Sequence, residues 1–131
     1  MKTLIGWLNR LTTRIKALEN EGAQPVVITS ATTPVVVTAA QLTKHAILTN
    51  TKADGAVVYT LPAAKAGMRL TALVGVAQGL TLDLPSGDTI AGKATSGQSY
   101  TADALGESLL LACIVDGRWD VLASTGTWTA S

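Results

Sequence analysis

Two side chains in this sequence are of the kind that acts as a base or a nucleophile near neutral pH. His45 is the only histidine and Cys113 is the only cysteine. Alternating apolar residues follow His45, as on a strand, and no motif places a serine and an aspartate to form a triad with it. Cys113 lies in the most apolar stretch of the chain, where a thiol behaves as a small hydrophobic group. We therefore expect no catalytic residue and no enzymatic activity.

A pair of carboxylates could instead bind a metal ion. Asp83 and Asp88 flank the turn Pro85-Ser86-Gly87 and could share a calcium ion through their oxygens. Calcium loops carry a denser set of acidic residues, so a solvated turn is the favoured interpretation and the ion stays an open alternative. One cysteine excludes an internal disulfide and a cysteine-based zinc site, and no phosphate-cradling glycine motif is present. We predict no metal and no cofactor.

The composition narrows the class of protein further. The chain has 131 residues, a formal net charge of +1 and 15% charged residues, which predicts one domain with a short appendage and no binding of nucleic acid. It contains no run of about 18 apolar residues that could span a bilayer. The stretch Leu4-Ile5-Gly6-Trp7-Leu8 ends at Asn9, whereas a secretion signal needs roughly 7–15 apolar residues. We expect a product that assembles in the cytoplasm in which it is made.

Residues 1–21 are predicted to form a helix separate from the rest of the chain. Apolar residues recur there at intervals of 4, 3, 4 and 3, the spacing of a coiled-coil seam, and Gly22 and Pro25 follow as terminators. The positions in this stripe are Leu4, Leu8, Leu11, Ile15 and Leu18. A surface helix packed on its own domain commonly has such a stripe, so the spacing alone leaves both hypotheses open.

A short motif favours the coiled coil. The segment Arg14-Ile15-Lys16-Ala17-Leu18-Glu19 resembles the trimerisation motif of three-stranded coiled coils, with Arg14 placed to reach a glutamate of the neighbouring helix. We predict a parallel three-helix coiled coil. Its contact residues would be Leu4, Leu8, Leu11, Arg14, Ile15, Leu18 and Glu19. Ile5 and Trp7 widen the apolar face, which could pack on the β domain of the same trimer or contact a larger partner.

Residues 22–131 have the pattern of an all-β domain. Short runs of Val, Ile, Leu and Thr alternate with Gly, Pro and Asp turns, which predicts a sandwich, a barrel or a prism-like fold. Residues 109–115 and 118–123 flank Asp116-Gly117, the strongest hairpin signal in the chain. Residues 45–49 and 56–61 flank a polar stretch with Asp54-Gly55 and are also predicted to form a hairpin.

Several of these strands are apolar on both faces. Residues 109–115 contain no polar side chain except the Cys113 thiol. In a small sheet with one solvated face, polar and apolar residues would alternate. We therefore predict that other subunits cover some of the outer faces, which is a second indication of an oligomer.

The stretch from Thr49 to the C-terminus resembles the β domains of tailed-phage virion proteins, including head fibres, capsid decoration proteins and tail-fibre modules. The similarity lies in four segments, in this order along the chain: residues 59–67 (YTLPAAKAG), residues 80–92 with the Leu-Thr-Leu and Gly-Asp-Thr-Ile-Ala-Gly motifs, residues 117–121 (GRWDV), and residues 126–128 (GTW). Such proteins are typically homotrimers that attach to the virion by one end and present a β domain outward.

The resemblance implies a structural virion protein on the phage head, a capsid decoration or head-fibre homotrimer. Its partners would be further copies of the chain and the major capsid protein or another virion protein, with Ile5 and Trp7 as possible virion contacts and no membrane involved. The alternative is a trimeric tail-fibre or receptor-binding module that recognises a host surface glycan. The five aromatic residues leave few for glycan contacts, which favours the structural role. A small hydrolase or lyase is disfavoured because catalytic polar clusters are missing.

Overall fold

The structure is a computed structural model that describes Gly6, residues 8–10, Val26–Thr29 and residues 33–131. Gly6 and residues 8–10 have helical backbone conformation, as predicted for these positions. A short helix, α1 (Ala39–Thr43), lies between the second and third strands. The strands of the described part are β1 (Val26–Thr29), β2 (Val35–Val36), β3 (Ala46–Thr49), β4 (Val57–Thr60), β5 (Arg69–Leu73), β6 (Leu80–Asp83), β7 (Thr89–Ile90), β8 (Ser99–Ala102), β9 (Ser108–Val115), β10 (Arg118–Thr125) and β11 (Thr129–Ala130).

The strands form two sheets, and the first six strands alternate between them. The six-stranded sheet has the order β1-β3-β5-β9-β10-β7, and the five-stranded sheet has the order β11-β8-β6-β4-β2. Within each sheet the neighbours among β1 to β6 are parallel. The chain therefore winds as a short β-solenoid, in which each coil adds one strand to each sheet.

The coils have 23 or 24 residues except the first, in which Val26 pairs with Ala46, 20 positions after it. Tyr59 pairs with Val35, 24 positions before it, and with Leu82, 23 positions after it. In the other sheet Ala46 pairs with Leu70, 24 positions after it. Strands β2, β4 and β6 are thus successive copies of one structural repeat.

Antiparallel strands complete the parallel part. Strand β9 pairs with β5 and strand β8 pairs with β6, so both sheets are extended by antiparallel strands at the same level of the molecule. Strand β9 continues through Asp116-Gly117 into β10, as the hairpin signal predicted. Gly117 has a φ of 84°, a left-handed conformation that glycine adopts without strain. These antiparallel strands move the sheet edges outward to the two-residue strands β7 and β11, and short edge strands offer few unpaired backbone groups.

The hydrophobic core lies between the two sheets. Leu48, Leu70 and Leu111 from the six-stranded sheet and Leu80 and Leu82 from the five-stranded sheet are completely buried. Tyr59 and Trp119 are the largest buried side chains. The Tyr59 hydroxyl, on β4, donates to the carbonyls of Thr49 (2.6 Å) and Ile28 (3.0 Å) in the opposite sheet. This phenol therefore ties the sheets together, and burial raises its pKa.

The prediction of an all-β domain is confirmed, and the two open sheets correspond to the sandwich among the forms considered. The predicted hairpin of residues 45–49 and 56–61 is wrong, because β3 and β4 lie in different sheets. The polar stretch between them crosses from one sheet to the other instead of reversing within one. The predicted boundary between residues 1–21 and 22–131 lies outside the described residues.

Helix α1 was not predicted, although the sequence carries a signal for it. The Thr38 side chain accepts a hydrogen bond from the Gln41 amide, and the Gln41 side chain accepts one from the Thr38 amide. This reciprocal pair is a capping box, which marks the start of a helix. His45, predicted as the first strand residue, follows the helix with a φ of 69° and precedes β3.

Candidate interaction surface

The two sheets present outer faces of different chemistry. The outer face of the five-stranded sheet is mostly polar, and neighbouring side chains on it bond to each other. Thr81 and Thr101 share a hydrogen bond of 2.8 Å between their hydroxyls, and the Ser99 hydroxyl donates to Asp83 at 3.1 Å. Strand pairing places its side chains in two rows, Val36-Thr60-Asp83-Ser99 and Val58-Thr81-Thr101-Thr129.

The outer face of the six-stranded sheet carries a mainly apolar row of side chains beside a mostly polar row, Thr29-Thr49-Leu73-Ser108-Thr125. Strand pairing aligns one row of outward side chains across five strands: Val27, Ile47, Thr71, Leu110 and Ala123. Val27 is 61% exposed. Because soluble single chains seldom expose a contiguous apolar patch of this kind, we call this the apolar face and treat it as the candidate interaction surface.

Two register irregularities enlarge the apolar face near β9 and β10. At the first irregularity, Arg118 pairs with Val115 and Trp119 pairs with Cys113, which leaves Ile114 on β9 without a partner. At the second, Val121 pairs with Leu111 and Ala123 pairs with Leu110, which leaves Leu122 on β10 without a partner. Bulges of this type re-aim side chains. Ile114 and Leu122 are 64% and 54% exposed and line a depression of about 420 Å³.

A few polar groups lie on or beside the apolar face. Arg69 and Ala112 line the same depression, and Ala112 pairs with both Arg69 and Asp120. Asp120 lies 3.5 Å from the guanidinium of Arg118. The His45 ring also lies on this side of the sheet, because its Nε2 is 2.8 Å from the Thr71 hydroxyl.

The residues considered for catalysis are engaged in separate structural roles. His45 bonds to Thr71, and the Cys113 thiol donates to the Val115 carbonyl at 3.1 Å. Cys113 is buried, and this burial raises the pKa of its thiol. Each of the two side chains therefore bonds to a different strand residue, and the contacts in the described part of the chain do not join them.

The two aspartates considered for an ion also occupy different environments. Asp83 lies on the outer face of the five-stranded sheet, whereas Asp88 is buried and accepts a hydrogen bond from the Ala64 amide at 2.7 Å. Within the ranges that the structure covers, no group of three His, Cys, Asp or Glu side chains is placed to hold a metal ion.

Parts of three of the segments that carry the phage resemblance meet at one end of the sandwich, whereas residues 126–128 contact Glu107 and Ser108 at the start of β9. The Asp88 carboxylate holds the Ala64 amide, and the Ala64 carbonyl accepts from the Gly117 amide at 2.9 Å. The Asp116 carboxylate accepts from the Ala66 amide at 2.9 Å. We call residues 61–67, 87–89 and 116–118 the turn cluster. Its side chains hold three connections together through backbone groups, which is a structural role.

Two further anchoring side chains were missed by the sequence analysis. Asn50 is completely buried, and its amide group bonds to the backbone of Gly75, Val76 and Gln78 in the loop between β5 and β6. Glu107 accepts hydrogen bonds from the amides of Asp103, Ala104 and Thr127. No sequence motif flanks either residue, so the anchoring role of these side chains becomes evident only in the folded structure.

The predicted coiled-coil residues fall almost entirely outside the described part. Leu8 is the one of them that is described, and it is helical and 53% exposed. Leu4, Leu11, Arg14, Ile15, Leu18 and Glu19, and the possible virion contacts Ile5 and Trp7, lie outside the described residues. The coiled coil therefore stays a prediction.

Comparison of this chain with protein-family models found no match, and comparison with curated proteins found none either. Among the residues that the structure describes, no helix is long and apolar enough to cross a membrane.

Proposed function

We propose that this chain is a non-enzymatic structural protein of a tailed-phage virion, a homotrimer that coats or stabilises the head as a capsid decoration or head-fibre protein. The observation that carries the proposal is the contrast between the apolar face of the six-stranded sheet and the polar outer face of the other sheet. Side chains such as Val27, Ile114 and Leu122 need a partner surface to leave water.

Burial of the apolar face would contribute substantially to association. Removing one large aliphatic side chain from water stabilises by about 1.5–3 kcal/mol. Several such side chains together suffice for a stable oligomer of a chain this short, provided that the surfaces fit. The leucine stripe of the N-terminal segment supports a trimer, since its motif resembles that of three-stranded coiled coils.

The resemblance of the turn-cluster motifs to phage β domains supports the virion assignment. The motifs contact each other through the carboxylates of Asp88 and Asp116, so they specify one local arrangement. In this proposal the β domain forms the outward part and the N-terminal segment attaches the trimer, with Ile5 and Trp7 toward the major capsid protein or another virion protein.

The alternative function is a trimeric tail-fibre module that binds a host glycan. Sugar-binding sites commonly present an exposed aromatic ring, whereas the four aromatic residues of the described part pack inward. Tyr59, Tyr100 and Trp119 are buried, and Trp128 is half-buried and stacks on Tyr100 with ring centroids 5.7 Å apart. This arrangement favours the head-coating role.

The first test is the oligomeric state of Leu122→Asp. Placing an unpaired charge in a buried interface costs about 3–5 kcal/mol, so we expect this variant to dissociate at concentrations where the wild type is trimeric by light scattering. Leu105→Asp is the matched control, because Leu105 is 69% exposed at the tip of the β8–β9 loop, away from the apolar face. A wild type that is monomeric at micromolar concentration would contradict the homotrimer.

The second test separates head from tail. Cryo-electron microscopy of the intact particle should show the trimer in many copies over the head. A few copies confined to the tail would overturn the decoration hypothesis and favour the receptor-binding module.

A further inference from the structure

One row of side chains on the apolar face carries two opposite charges. Arg69 on β5, Ala112 on β9 and Asp120 on β10 are consecutive partners across three neighbouring strands. Two strand spacings separate Arg69 from Asp120, about 10 Å. The depression lined by Ile114 and Leu122 also includes Arg69 and Ala112, and Asp120 pairs with Ala112 from the neighbouring strand.

Neither charged side chain has its full set of partners among the residues that the structure describes. The Arg69 side chain is exposed and makes no ion pair or hydrogen bond with any residue in the described ranges. One oxygen of Asp120 lies 3.5 Å from Arg118, whereas the other is shielded from water and has no hydrogen-bond partner there. An unsatisfied carboxylate oxygen is unfavourable, and the Asp120 side chain, which is 25% exposed, can rotate to present it to a donor from outside the chain.

We infer that a second copy of this chain packs on the apolar face and that Arg69 of one copy pairs with Asp120 of the next. This inference rests on the proposed homotrimer and adds the orientation of its subunits. When three copies turn this face toward a common threefold axis, the β5 side of one copy meets the β10 side of its neighbour. Each such contact then brings the Arg69 guanidinium of one copy to the Asp120 carboxylate of the next copy. Rotation of the Asp120 side chain exposes this carboxylate for the contact.

The charges also identify the occupant as another copy. A partner of a single charge sign would meet groups of both signs on this face, because Asp120 lies between the cations Arg69 and Arg118. A copy rotated about an axis presents an acid where the first presents a base, so the face is complementary to itself. Apolar contact at Ile114 and Leu122 fills the centre in the same arrangement.

The test is a charge exchange read by sedimentation over a dilution series. Arg69→Asp and Asp120→Arg should each raise the dissociation constant of the oligomer about tenfold or more, as expected for a close charge pair across an interface. The double variant should recover most of the lost affinity. An equimolar mixture of the two single variants should associate more tightly than either alone, because the exchanged charges then face each other between chains.

Lys65→Glu is the matched control, since Lys65 is an exposed cation of the turn cluster whose side chain is 66% exposed. It should not change the dissociation constant. Recovery in the double variant without recovery in the mixture would overturn the inference in favour of a pair within one chain. Unchanged dissociation in both single variants would also overturn it. Circular dichroism melting verifies that each variant is folded. If a charge-exchange variant does not fold, the conservative variant Arg69→Gln or Asp120→Asn replaces it. Each of these is also expected to weaken association.

The outcomes distinguish this inference from the proposed function. If Leu122→Asp dissociates the trimer and the charge variants do not, the apolar face remains the interface and only the ion pair is wrong. If the wild type is monomeric, the proposed homotrimer is wrong as well.

Discussion

Asp88 is a buried carboxylate whose Oδ2 accepts a hydrogen bond from the Ala64 amide at 2.7 Å. Its own amide donates to Pro85 at 3.1 Å, and its carbonyl accepts from Gly97 at 3.2 Å. All of its polar backbone groups and one carboxylate oxygen are therefore used to hold connections in place. Asp83, five positions earlier, lies on the surface of a sheet and bonds to one serine hydroxyl.

We predict that Asp88→Ala destabilises the protein by about 1–3 kcal/mol, because it leaves the buried Ala64 amide without an acceptor. Asp88→Asn keeps an oxygen at that place and should cost less. Asp83→Ala is the matched control and should change the free energy of unfolding by about 0.5–1.5 kcal/mol at most, since Ser99 can turn to water.

Urea unfolding of the four proteins at pH 7 measures these differences. Equal destabilisation by Asp88→Ala and Asp83→Ala would contradict the anchoring role of Asp88. A rise in stability of the wild type on addition of calcium, lost in both variants, would instead establish the ion that the sequence left open.

The prediction that His45 is an ordinary strand residue is wrong, because His45 precedes β3 and has a left-handed backbone. The sequence indicates an ordinary strand residue, because apolar alternation follows it. In the fold it lies between helix α1 and β3 with a left-handed φ of 69°, and its ring contacts Thr71. Local alternation carries no information about φ, so this conformation was not predictable from the neighbouring residues.

At the scale of elements, Glu107 joins the loop between β8 and β9 to the segment between β10 and β11. Its carboxylate accepts from Ala104 at 2.8 Å, from Thr127, and from Asp103 at 3.2 Å. These backbone amides, that of Ala104 first, lower the pKa of the carboxyl below its ordinary value of 4.5, against the opposing effect of burial. A Cβ at Gly126, which has a φ of 82°, would overlap this carboxylate. The short strand β11 therefore depends on an ionised Glu107 and a small neighbour.

We predict that the stabilisation by Glu107 depends on pH. Because the pKa is lower in the folded chain than in the unfolded chain, the ionised form stabilises the fold fully above about pH 4.5. This contribution is lost as the pH falls through the lowered pKa. Glu107→Gln should therefore be less stable than the wild type at pH 7, and the difference should shrink toward pH 3.

Thermal unfolding between pH 7 and pH 3 measures that difference. Asp103→Asn, in the same exposed loop, is the control and should follow the wild-type curve. A difference between wild type and Glu107→Gln that stays constant over this range would show that Glu107 acts through its shape and not its charge.

The strands were predictable to different extents, for a physical reason. The β9–β10 hairpin was predicted correctly because Asp116-Gly117 reverses the chain within one sheet, a local event. Strands β3 and β4 were individually correct, yet their pairing was wrong because their true partners lie one coil away. The repeat that reveals this is weak in sequence: Tyr59-Thr60-Leu61-Pro62 corresponds to Leu82-Asp83-Leu84-Pro85, with Leu61 and Leu84 both buried. A search for a period near 23 residues would have predicted the solenoid.

For the molecule as a whole, the fold explains why the apolar sequence of strand β9 predicted a surface that needs a partner. Residues 109–113 place Leu109, Leu111 and Cys113 in the core and Leu110 and Ala112 on the apolar face. The sequence predicted that one face of such a strand needs cover, but which strands would share that face depends on the order of the sheet. Residues as distant as Val27 and Leu122 belong to the same surface only because β1 and β10 lie in one sheet.

The proposed trimer has two separate sources of association, the N-terminal stripe and the apolar face, and their independence can be measured. Ile15→Asn with Leu18→Asn should remove two apolar layers of the predicted coiled coil, each worth roughly 2–5 kcal/mol. If the N-terminal helix and the apolar face associate separately, the effects of the Ile15/Leu18 double variant and of Leu122→Asp are independent. The two losses in the free energy of trimer dissociation should then add in the variant that combines them. Sedimentation of the three variants and the wild type provides the four values. A stripe that packs on its own β domain would instead lower the unfolding temperature of the monomer and leave dissociation of the trimer unchanged. The apolar face would then be the surface on which the trimer depends.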